Sequence, residues 1–67
     1  MIKEIEKACY ELDAIWQAGN RKSLPFCRYM RQAIDEITSD IAYNLDGNIP
    51  KELEDMIDRL EEDIYNH

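Results

Sequence analysis

The chain has 67 residues, with 15 Asp and Glu against 8 Lys and Arg, a formal net charge of −7 and a pI near 4.5. That length holds one domain at most, and a domain of this size buries only about 60% of its unfolded surface, so a two-domain cleft or a barrel enzyme is excluded. The acidity argues against direct binding to DNA, RNA or an anionic membrane surface.

Hydrophobic residues make up 45% of the sequence and charged residues 34%, with two Gly and two Pro. This is the composition of a helical protein rather than of a disordered tail. Lys3 and Glu4 interrupt the opening Met1–Ile5, so no secretory leader is expected. Apolar runs stop at two or three residues, which leaves no membrane span. Cys9 and Cys27 fall at helix positions and read as free thiols of a reducing cytoplasm.

Three helices follow in chain order. Over residues 2–18, Ile2, Ile5, Cys9, Leu12 and Trp16 recur at spacings of three and four, flanked by Ala8 and Ile15. Gly19-Asn20 ends that helix, because both residues tolerate the left-handed conformation that closes one. Ser23 is the expected cap of a second helix over 24–45, with Pro25 in its first turn. Its stripe is Cys27, Met30, Ile34, Ile37 and Ile41, and about 20 residues give it a length of ~30 Å. Asn44 takes the next position, either as a fraying end or as a buried polar residue fixing register between subunits.

Asp46-Gly47-Asn48 marks a turn, and Pro50 opens a third helix over 50–65 with Leu53, Met56, Ile57, Leu60 and Ile64 on one side. Short connections place sequential helices antiparallel. The fold class is therefore all-α, a single helical domain over residues 1–67. Its expected core is Ile5, Leu12, Trp16, Met30, Ile34, Ile37, Ile41, Leu53, Ile57 and Leu60. Leu24, Phe26, Tyr10, Tyr29, Tyr43 and Tyr65 lie off the stripes as surplus apolar groups. With the long middle helix they favour completion of the bundle by a homodimer.

No catalytic, cofactor-binding or metal-ligating constellation is legible. The one His is His67, at the end of the sequence, so no Ser–His or Cys–His pair can be drawn and no zinc spacing exists. A calcium loop aligned on Gly47 would place Ala42 and Leu53 at ligand positions, and fails. The chain is read as a non-enzyme without a cofactor.

Charge is more informative, because it is segregated. Residues 21–31 carry Arg21, Lys22, Arg28 and Arg31 with no acid. From Asp35 to Asp63 eleven acids face only Lys51 and Arg59, a balance of −9. The basic group sits at a helix N-terminus, where the dipole disfavours cations. Two readings account for it. In one, Glu61, Glu62 and Asp63 return beside Arg28 and Arg31; in the other, all four cations receive a phosphate or an acidic partner. The acids Glu54, Asp55, Asp58, Glu61 and Glu62 of the third helix likewise read as a solvated face or as a mimic of nucleic-acid phosphates. On the solvated reading, Asp55–Arg59–Asp63 would supply i,i+4 support.

The opening Met1-Ile2-Lys3-Glu4-Ile5 and the segment Leu24-Pro25-Phe26-Cys27-Arg28-Tyr29, in a short acidic helical chain, resemble the small early-region proteins of lambdoid bacteriophages, those encoded between the exonuclease and excisionase genes. The resemblance implies a host-directed or developmental regulator acting through protein contacts in the host cytoplasm, and it assigns no functional residue. The expected function is a non-enzymatic regulator or adaptor that binds another protein, with Tyr10, Tyr29, Arg28 and Arg31 as candidate contacts. The alternative is a DNA-mimic inhibitor working through the acids of the third helix.

Overall fold

A computed structural model describes residues 2–67 as three helices: α1 (Ile2–Ala18), α2 (Leu24–Asn44) and α3 (Lys51–Tyr65). The all-α class and the three segments agree with the sequence pattern to within a residue. No helix is long and apolar enough to cross a membrane.

Local chemistry sets the boundaries. Ser23 accepts a hydrogen bond from the Phe26 N–H and caps α2, with Pro25 in the first turn, where its missing donor costs nothing. At the other end the N–H groups of Leu45 and Gly47 both fold back to the Ile41 carbonyl. Asp46 and Gly47 reverse the chain with φ of 53° and 77°, a region that Gly enters freely and Asp tolerates. Asn44 is the last residue of α2 and is exposed in the single chain.

Gly19 is needed for a different reason from the one its sequence position suggested. It does not adopt positive φ, and its N–H continues the helical pattern to the Ile15 carbonyl at 2.9 Å. A Cβ at Gly19 would instead run into the Phe26 ring. Glycine here opens the space in which Phe26 lies parallel to Trp16, centroids 5.9 Å apart and planes 6° apart. Phe26, read as surplus from sequence, is therefore part of the packing.

One apolar cluster unites the helices. Ile5, Cys9, Leu12 and Trp16 of α1, Met30, Ile34 and Ile41 of α2, and Leu53, Ile57, Leu60 and Ile64 of α3 are all buried. Nine of the ten expected core residues are among them, joined by Cys9 and Ile64. Ile37 is the exception. It is half-buried, because three residues on from Ile34 it is rotated about 60° around the helix toward α1. Three helices of one chain enclose this cluster without a second copy.

Trp16 is the largest fully buried side chain and meets the core from the end where α1 turns into α2. Truncation to Ala is expected to cost about 3–5 kcal/mol in chemical denaturation. Gly19→Ala separates packing from chain entropy. The lower entropy of the unfolded chain alone would reward it by about 0.4–1 kcal/mol, whereas the clash with Phe26 should destabilise by about 1–3 kcal/mol.

Candidate functional site

The three seams between helices differ in chemistry. The α1–α3 seam is lined by Asp13, Gln17, Met56, Arg59, Leu60 and Asp63, four of the six polar. The α2–α3 seam, capped by Gly47 and Ile49, mixes Ile41 and Ile57 with Thr38, Glu54 and Asp58. The α1–α2 seam, open to solvent, sets apolar side chains on both walls between acidic ones, with as much polar as apolar surface. Ala8, Leu12 and Ile15 form its α1 wall, Ala33 and Ile37 its α2 wall, and Tyr29 lies at the end nearest the α1–α2 loop. Glu11 on α1 and Glu36 and Asp40 on α2 stand along its edges.

The helical repeat builds this groove. On α1 the residues 8, 11, 12 and 15 share one side, adjacent to the buried side that carries Cys9 and Trp16. On α2 the residues 29, 33, 36, 37 and 40 do the same beside Met30, Ile34 and Ile41. The small side chains Ala8 and Ala33 leave the floor low, while Ile15 and Tyr29 keep 41% and 53% of their surface. The chain itself leaves this furrow uncovered.

Of the residues singled out by sequence, Tyr29 is the one in the groove. Tyr10 is exposed but leaves α1 roughly 150° away around the helix axis, outside the groove lining. Arg28 is exposed and also outside it. Arg31 lies over the ring of Tyr65, 5.8 Å from its centre, and the Tyr65 hydroxyl donates to Asp35. That bond and the burial around it raise the Tyr65 pKa. The expected return of Glu61, Glu62 and Asp63 to Arg28 and Arg31 as ion pairs does not occur. Among the described residues the ion pairs are Lys7–Glu11 and Lys51–Asp55, both exposed and both within one helix. Asp55 thus pairs back to Lys51 at 3.0 Å rather than forward to Arg59. A tyrosine supplied the partner for Arg31 where a carboxylate was expected.

The cations of residues 21–31 are parted as well. Arg21 sits 4.5 Å over the Trp16 ring and donates to the Trp16 carbonyl and the Gln17 side chain. It brings positive charge to the carbonyl end of α1, where the helix dipole favours it. Lys22 is exposed beyond it, and Arg31 is engaged on α3. The four do not converge on one anion position. On α3, Glu54, Asp55, Asp58 and Glu62 are exposed, Glu61 is half-buried, and Arg59 stands among Glu52, Asp55 and Asp58. His67 packs edge-on to Trp16 at 5.6 Å, with its Nε2 2.8 Å from the Arg21 carbonyl.

The groove itself was missed from sequence, although its signal was present. Ala8 and Ile15 flanked the α1 stripe, and Ala33 lay beside Ile37, itself counted in the α2 stripe, so both helices carried a second apolar edge.

The two thiols differ. Cys9 is fully buried, and burial, with Glu6 adding to it, pushes its pKa up to about 11. Cys27 is half-buried and donates to the Arg21 carbonyl over 3.3 Å. No protein-family model, curated protein or solved structure matches this chain.

An alkylating reagent at pH 8 is expected to modify Cys27 in the native protein and to reach Cys9 only with unfolding, as peptide mass mapping would read. The raised Cys9 pKa also fixes a sign. Above about pH 9 the unfolded thiol ionises and the folded one does not, so stability should fall as pH rises from 9 through 11. Cys9→Ala should remove that component of the alkaline loss.

Proposed function

We propose that the chain is a non-enzymatic adaptor or regulator that holds another protein in the α1–α2 groove. One observation carries this reading: the seam where Ala8, Leu12 and Ile15 face Ala33 and Ile37 between acidic edges is left uncovered by the fold, with the exposed Tyr29 at its end. Tyrosine adds contact area with few rotamers to freeze, and aromatic residues dominate the energetic centres of protein interfaces. Ile15, exposed beside it, gives an aliphatic anchor one helix away. The lambdoid early-region resemblance would make the partner a host protein.

A second reading rests on the exposed acids of α3, Glu54, Asp55, Asp58 and Glu62, which would occupy the basic groove of a nucleic-acid-binding protein. Lys51, paired to Asp55, and Arg59, set among the acids, dilute that surface. It is the weaker of the two.

Site-specific photo-crosslinking separates them. A photoreactive side chain at position 29 is expected to capture a defined partner in the cells that carry the protein, and Ile15→Glu should cut that capture about tenfold or more, as loss of an apolar anchor does. Adducts formed at position 54 and not at 29 would transfer the function to the α3 acids. Absence of adducts at both positions would contradict both readings.

A further inference from the structure

We infer that the occupant of the α1–α2 groove is an amphipathic helix of a partner protein whose apolar stripe is flanked by Lys or Arg. The inference rests on the groove being the docking site and adds the chemistry of what it takes.

Shape argues for a helix. The α2 wall from Tyr29 to Asp40 is twelve residues long, a rise of ~16 Å or three turns. The seam between two antiparallel helices accepts a third helix by the same ridge-and-groove fit that seats α3 on the other side. The low floor at Ala8 and Ala33 admits the large side chains of an incoming i, i+3, i+4, i+7 stripe.

Charge decides which helix. The charged residues bounding the groove are Glu11 on one wall and Glu36 and Asp40 on the other, all acidic and all solvent-exposed. Lys7, next to Ala8, is paired weakly at 3.9 Å with Glu11, and Arg28, next to Tyr29, is exposed outside the groove lining. Two copies joined groove to groove would bring both acidic rims together and repel. A helix with basic flanks would instead meet a carboxylate on each side. Glu36 and Asp40 sit toward the end away from Tyr29, with Glu11 midway along the facing wall, so the basic residues of the partner belong to the turns over Glu36 and Asp40. Since rim pairs are screened, they govern choice of partner and encounter rate, while the apolar stripe holds the complex.

The test uses the whole protein and two synthetic helical peptides of about 14 residues, ~21 Å long. Both carry the same leucine stripe, one flanked by Lys and the other by Glu. Methyl and amide NMR shifts report where each binds. The Lys peptide is expected to move the resonances of Ala8, Ile15, Ala33 and Ile37 and to bind at least about tenfold tighter than the Glu peptide. The surface variant E36Q/D40N, which touches no buried residue, should narrow that difference severalfold, and added salt should do the same.

Equal binding of both peptides in the groove would overturn the basic-flank inference while leaving the groove a docking site. Lys-peptide shifts confined to the acids of α3 would overturn it as well. Shifts at Ile15 and Ala33 on concentrating the protein alone, with a doubled mass in sedimentation, would assign the groove to a second copy. No groove shift with either peptide, together with no crosslink at position 29, would remove the docking site itself.

Discussion

The contact on which the three helices depend is the packing of Trp16. Here groups from α2, from the loop between α1 and α2, and from the residues just after α3 all touch one side chain of α1. Phe26 stacks on it from the first turn of α2, Arg21 covers it from the loop, and His67 meets it edge-on after α3. A domain of 67 residues has little stability to spare, so a contact that fixes three elements at once carries disproportionate weight. The arrangement has a cost. The indole Nε1 is buried without a hydrogen-bond partner, a penalty of about 1–3 kcal/mol. The cation over the ring and the stacked Phe26 offset part of it.

With α1 and α2 pinned at their loop end by Trp16 and Phe26, and with α3 seated along one side, the opposite seam has nothing to cover it. Ile37 illustrates the division. One side of it packs on the core cluster and the other lines the groove. The same rotation that takes Ile37 off the core axis supplies the groove with its α2 wall. Core and groove therefore share a helix and meet at Ile37: Met30, Ile34 and Ile41 serve the core, while Tyr29, Ala33, Glu36 and Asp40 line the groove beside them.

Much of this was legible in the sequence, and the rest was lost for identifiable reasons. Helix ends were readable because capping is local: Ser23, Pro25, Asp46 and Gly47 act on neighbours a few residues away. The core was readable because three stripes at helical spacing have one way to face each other. Gly19 was correctly placed but for the wrong cause, since its neighbour Phe26 comes from the next helix. The partners of Arg31, Tyr65 and His67 were invisible because they are set by how α3 returns along the bundle. The charge polarity read from sequence stands as arithmetic, yet its cations are spread over separate jobs. The groove was overlooked because stripes were read as single lines rather than as a core line with a second apolar edge.

Hydrogen exchange of the Trp16 indole N–H tests the central role of this packing most directly, because the chain has one Trp and its Nε1 is fully buried. If Trp16 pins all three helices, that proton exchanges only when the whole molecule opens, with the same free energy as the slowest core amides of α1, α2 and α3. Exchange at a clearly lower free energy, while those core amides stay protected, would show that the bundle holds together without the Trp16 contact and would contradict this account.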